Sequence, residues 1–152
     1  MFTPNNWGNS SLTSTSNKFI INGTIPASVT SSAYMFTSVS TLSIPFNIFS
    51  SATHIIDISG MFSGATITFT GSNLPTYNDD HDVSITLTNT VNASFFPRSV
   101  ENMMGLFYNT NVQIITGDVF NNLTNLKNCC SVFGSSSPRK FSITDSTGTI
   151  VD

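Results

Sequence analysis

The densest group of titratable side chains in the sequence is Asp79-Asp80-His81-Asp82, preceded by Asn78 and followed by Val83. Carboxylate oxygens at that density are the donor set of a Ca2+ site. The spacing of an EF-hand and the Gly-rich nonapeptide of calcium-binding β-helices are both absent. Asn and Asp also favour turns, so the plainer reading is a solvated loop ahead of a strand, and no metal is expected there. Cys129-Cys130 is the second candidate. Adjacent cysteines are not C-x-x-C, and no second pair exists to complete a zinc site. The expectation is two unpaired, buried cysteines acting as small hydrophobes. His54 is far in sequence from His81, and Glu101 is the sole glutamate. No Ser-His-Asp or Cys-His arrangement can be argued from spacing, and no Gly-rich phosphate loop is present. The sequence points to no catalytic residue and no cofactor, hence to a protein that is not an enzyme.

Bulk composition narrows the alternatives. At 152 residues the chain fits one domain with a real core. It is 39% hydrophobic with 13 phenylalanines but only 9% charged, against roughly 25% in an average globular protein. Surface polarity must therefore come from neutral Ser, Thr and Asn. The five basic residues, Lys18, Arg98, Lys127, Arg139 and Lys140, are too scattered to track a phosphate backbone, so nucleic acid is not an expected partner. No apolar run approaches the roughly 20 residues of a membrane span, and the start, MFTPNNWGNSS, lacks the basic and apolar regions of a secretory signal. Neither membrane insertion nor export by that route is expected. Four N-x-Ser/Thr sequons, at Asn9, Asn22, Asn92 and Asn122, read as chance matches in so Asn- and Thr-rich a chain.

The elements that must position any site emerge from a repeat. Met35-Phe36 precedes Met61-Phe62 by 26 residues, Leu106-Phe107 precedes Val132-Phe133 by 26, and the two pairs stand 71 apart. The longer offset also matches Pro26 with Pro97, Ser28 with Ser99, Val29 with Val100, Ile44 with Ile115, Phe49 with Phe120 and Thr53 with Thr124. A duplicated unit with coils of about 26 residues signals stacking, each coil burying its apolar face against its neighbours. Phe36, Phe62, Phe107 and Phe133 are then expected in one interior column. The residue before each anchor pair is Tyr34, Gly60, Gly105 or Ser131, a slot suited to tight turns and positive φ. Short helical or irregular turns (SSAY, DISG, NMMG, CCS) should lead into the anchors. Strands are expected over 41–44, 66–70, 83–88, 112–116 and, near the C-terminal end, 140–144. The inward face of 112–116 is open to a one-residue slip.

Around the second anchor, HIIDISGMFSGATIT (54–68) resembles the BspA-like leucine-rich-repeat family of surface proteins, whose repeat carries a pattern like VTDMSGMFSGA. Residues 56–65 fit it nearly position for position, and TLSIPFNIFSSAT (41–53) is similar to the accompanying Leu-x-Ile-Pro strand and Phe-containing return. The fit is fair over 29–54 and degenerate over 100–133. The resemblance implies a mostly β fold, a right-handed leucine-rich-repeat-like solenoid with short helical or irregular turns. It divides one domain into an N-terminal cap or first coil (1–28), a repeat solenoid (29–133) and a C-terminal cap strand (134–152). Such folds usually serve recognition or adhesion, which implies display on a cell surface or a virion.

Aromatic residues at unusual slots complete the picture. Tyr34 stands where other repeats have Gly or Ser, and Tyr108 where they have Thr, Ser or Gly; Tyr77 and Trp7 lie in irregular segments. Tyr and Trp bring large contact area with few rotors, making these four the candidate partner-binding residues, although each could equally cover a gap in the stack. The expected partner is a protein or glycan surface, or other copies or subunits of a particle. The alternative function is a purely structural virus-particle component, a decoration or fibre subunit, distinguished by symmetric self-association.

Overall fold

A computed structural model describes residues 13–15, 18–78, 84–114, 119–136, 143–144 and 150–151. These residues are strands and turns around a small parallel sheet, with no helix among them. Strand β1 (Thr13–Thr15) forms an antiparallel hairpin with β2 (Lys18–Ile20). From there the sheet is parallel: β2 pairs β3 (Thr41–Pro45), and β3 pairs β4 (Ile67–Thr70) with Leu42 opposite Ile67. Parallel neighbours need a crossover. Here it consists of a return segment, a bridge residue and a turn, not a helix. In β4 the expected alternation holds: Ile67 and Phe69 point inward, Thr68 and Thr70 outward.

The turns form a second ladder. Isolated parallel bridges join Ser31 to Asp57, Asp57 to Asn102 and Asn102 to Asn128, which sets four rows side by side, beginning at residues 31, 57, 102 and 128. Amides of one row donate to carbonyls of the next at equivalent positions. Phe36 N–H reaches Met61 O at 2.9 Å, Phe62 N–H reaches Leu106 O at 3.1 Å and Phe107 N–H reaches Val132 O at 2.8 Å. Within each row, i→i+3 bonds such as Met61 N–H to Ile58 O (3.2 Å) close the turn. Repeated register puts the anchor phenylalanines in one column. Phe36–Phe62, Phe62–Phe107 and Phe107–Phe133 have ring centroids 5.9, 5.5 and 5.5 Å apart and interplanar angles of 8°, 9° and 17°. Phe62 and Phe107 are fully buried, Phe36 is 8% exposed, and Phe133 is half-buried at the last described row.

The 71-residue correspondence extends to the return segments. Val29 N–H bonds Pro26 O and Val100 N–H bonds Pro97 O; Ala52 N–H bonds Phe49 O and Leu123 N–H bonds Phe120 O. Ile115 lies outside the described residues.

Rows two and three are 45 residues apart instead of 26, and an insertion fills the difference. It carries the antiparallel hairpin of β5 (Thr76–Asn78) and β6 (Ser84–Thr86), then β7 (Thr90–Val91), which pairs in parallel with β8 (Gln113–Ile114). Between β4 and β8 a side chain replaces a strand. Ile67 N–H donates to Asn111 Oδ1 at 2.7 Å, and Asn111 Nδ2 donates to Ile67 O at 2.9 Å. The carboxamide thus presents the donor and acceptor of a peptide group, so the buried backbone of Ile67 remains paired despite the interruption. Val112 is buried and Gln113 exposed, which fixes the inward register at 112. Strands β9 (Ile143–Thr144) and β10 (Ile150–Val151) pair antiparallel, within and beyond the expected 140–144 segment.

Candidate functional site

The turn edge of the ladder is built from residue types that satisfy their own backbone. At each bridge position a short polar side chain accepts an N–H two residues on. Asp57 Oδ1 takes Ser59 N–H at 2.9 Å, Asn102 Oδ1 takes Met104 N–H at 3.2 Å and Asn128 Oδ1 takes Cys130 N–H at 3.1 Å. Ser31 Oγ accepts from Ala33 N–H at a longer 3.4 Å. Such local bonds are what Asn, Asp and Ser offer at turns. This column escaped the sequence reading, although its signal is simple: an Asx or Ser five residues before each anchor phenylalanine.

Two slots along the edge take left-handed backbone. The first holds Tyr34 (φ 58°), Gly60 (56°), Gly105 (61°) and Ser131 (54°), as the sequence predicts. The second holds Ser38 (61°), Gly64 (74°) and Asn109 (55°). Gly, Asn and Ser are unsurprising there, but a tyrosine at positive φ is a genuine outlier. Among the described residues Tyr34 is also the most exposed of the large hydrophobic side chains, at 58%. Its ring lies over Gly60 so closely that a Cβ there would overlap the ring edge. Tyr108 occupies a different slot, the one after the anchor that Thr37, Ser63 and Gly134 fill in the other rows, and it too lies against a glycine of the next row: a Cβ at Gly134 would come within 2.8 Å of Tyr108 Cδ2. Unlike Tyr34, Tyr108 is half-buried. Met104, 39% exposed, flanks Gly60 from the other side, its carbonyl accepting Gly60 N–H at 2.8 Å. Neither tyrosine hydroxyl bonds a described residue. The edge thus presents two aromatic plates with free hydroxyls on a backbone pinned row to row.

Of the other candidates, Tyr77 lies in β5, but its side chain is outside the described set, as are Trp7 and Asp79, Asp80, His81 and Asp82. Cys129 and Cys130 are unpaired, yet both are exposed, which corrects the expectation of burial. The slot of Cys129 is interior in the other rows, where Ser32, Ile58 and Met103 are buried. No further described row stacks on the row of Cys129, so position along the ladder, not residue type, sets its exposure. His54 Nδ1 lies 3.1 Å from Ala27 O and 3.1 Å from Thr53 Oγ1, an exposed contact between return segments. The ion pair Lys127–Glu101 at 2.8 Å links rows three and four at the surface and escaped the sequence reading. Among the described residues no group of three or more His, Cys, Asp or Glu could hold a metal ion. No helix among them is long and apolar enough to cross a membrane.

Comparison with known protein families, curated proteins and solved structures finds no match to this chain.

Proposed function

We propose that the chain is a non-catalytic recognition or adhesion module, a right-handed solenoid of the BspA-like leucine-rich-repeat kind. In this reading it is displayed on a cell or virion surface and meets a protein or glycan through the edge that carries Tyr34 and Tyr108. Four rows in common register and a single phenylalanine column support the solenoid reading.

One observation carries the functional reading. Left-handed backbone at a bulky non-Gly residue costs on the order of 1 kcal/mol or more, and glycine occupies the same slot at 60 and 105 without that cost. Tyr34 therefore occupies a place that folding alone would give to glycine, and more than half of its surface faces solvent. A side chain retained against local strain, exposed and with an unused hydroxyl, is suited to contact outside the fold. Because the rows are bonded backbone to backbone, the edge is preorganised and little ordering entropy is lost on binding. With 9% charged residues, association depends only weakly on salt.

The test presents the full chain to arrayed proteins and glycans, and follows sedimentation of the chain alone. A monomer whose array binding falls at least tenfold in Tyr34→Gly and Tyr108→Ser supports the proposal. Self-association into a symmetric oligomer that depends on those tyrosines would favour the particle-component alternative instead.

A further inference from the structure

Sulfur is concentrated at one end of the turn ladder. In common register, Asn102-Met103-Met104-Gly105 of row three lies beside Asn128-Cys129-Cys130-Ser131 of row four. The two rows match in backbone as well. Asn102 Oδ1 and Asn128 Oδ1 each take the N–H two residues on, at 3.2 and 3.1 Å, and Gly105 and Ser131 have φ of 61° and 54°. Met103 N–H donates to Asn128 O and Gly105 N–H to Cys130 O, both at 2.9 Å. Met104 and Cys130 therefore leave equivalent points of adjacent rows, separated by about the 4.8 Å of neighbouring strands, and head in the same direction.

Both side chains reach the surface: Met104 and Cys130 are exposed. The same slot holds Ala33 in row one and Ser59 in row two, so only rows three and four bring sulfur to it. The slot one residue earlier differs. Met103 is fully buried, which leaves the exposed Cys129 beside a thioether that solvent does not reach. Cys130 Sγ has only Ser131 Oγ nearby, at 3.7 Å, and the Met104 sulfur bonds no described residue.

We infer that Met104 and Cys130 form a surface site for one Cu(I) ion. The inference goes beyond the recognition reading and does not depend on it. Thiolate and thioether sulfur are the soft ligands that select Cu(I). On binding, the Cys130 thiol releases its proton to solvent; the thiolate and a Met104 lone pair each donate to the ion, and no electron is transferred. The thiolate charge balances that of the monovalent cation, so the filled site is neutral on a surface with few charges of its own. Flexible methionine lets its sulfur adjust to the ion, while the bonds between rows hold both backbones in place. Zinc does not fit, because it takes four ligands. No group of three His, Cys, Asp or Glu lies together among the described residues, and the Asn102 and Asn128 oxygens are committed to their turns.

The experiment titrates the full chain with Cu(I) in the absence of oxygen, against bicinchoninate as a competing coloured chelator and with Zn(II) as a contrast. The expected result is one Cu(I) withdrawn per chain. Its affinity should fall about tenfold in Met104→Leu, fall further in Cys130→Ser and stay unchanged in Cys129→Ser. Leucine nearly conserves the volume of methionine and all three residues are exposed, so the variants should fold; unchanged melting curves of the metal-free chains verify it. The site is overturned if the chain takes up no Cu(I), if Met104→Leu binds it as well as the parent, or if Zn(II) binds as tightly. Equal losses in Cys129→Ser and Cys130→Ser would also overturn it, since they would mark binding by adjacent thiols instead of by register. Array binding that depends on Tyr34 and Tyr108 can fail or succeed without moving any of these outcomes, so the two readings fail separately.

Discussion

The turn side and the return side of the molecule are both lined with phenylalanine, yet they pack differently. On the turn side Phe36, Phe62, Phe107 and Phe133 stack within 17° of parallel. On the return side Phe46, Phe49, Phe95 and Phe96 meet one another and Phe69 of β4 at 55° to 88° and leave a cavity. The difference lies in register. Each turn row has the same length and the same bonds to the next, so equivalent side chains superpose. The return segments of rows two and three are brought together across an insertion, and their aromatics come from non-equivalent positions. Repetition gives rigidity, and its interruption gives concavity.

Truncation separates the two sides most sharply. Phe62→Ala or Phe107→Ala removes a fully buried ring from the middle of the column and should cost roughly 3–5 kcal/mol, seen as a fall in the denaturant midpoint at constant slope. Phe133→Ala, at the half-buried end of the column, should cost clearly less. Equal losses at 62 and 133 would break the picture of a column with a protected middle. Next in size is Gly60→Ala, which meets both an unfavourable φ and the Tyr34 ring. We expect about 1–3 kcal/mol, part of it recovered when Tyr34→Gly is added, as a double-mutant cycle would measure. Asn111→Leu leaves the amide and carbonyl of Ile67 without their carboxamide partner and should cost about 1–3 kcal/mol. The same change should quicken hydrogen exchange at Ile67 more than at Met61. At the small end, Cys129→Ser/Cys130→Ser and Lys127→Met should each shift stability by no more than about 0.5 kcal/mol, because the sites are exposed.

The sequence made the turn side legible and the return side opaque, for a physical reason. Fixed offsets between Met35-Phe36, Met61-Phe62, Leu106-Phe107 and Val132-Phe133 encode superposition directly, and Gly60 and Gly105 announce the left-handed slot that Tyr34 and Ser131 share. The Ser31, Asp57, Asn102 and Asn128 column was equally encoded, but only comparison of the four rows at one register exposes it. The cavity could not be read, since it depends on how Asn73 and two returns of different origin meet across the insertion. The exposure of Cys129 was likewise hidden: residue type matched an interior slot, and only the end of the ladder made it a surface. For the candidate site, the slots of Tyr34 and Tyr108 stood out by type, whereas their seats on Gly60 and Gly134 needed coordinates.

Thermal unfolding of Tyr34→Gly tests most directly whether Tyr34 is held for contact outside the fold. If the tyrosine is kept against backbone preference, relief of its left-handed strain should match or exceed the entropy that glycine adds to the unfolded chain. The melting temperature is then unchanged or raised. A fall in melting temperature would mean that the ring on Gly60 stabilises the ladder by more than its strain costs, and Tyr34 would then be a packing residue.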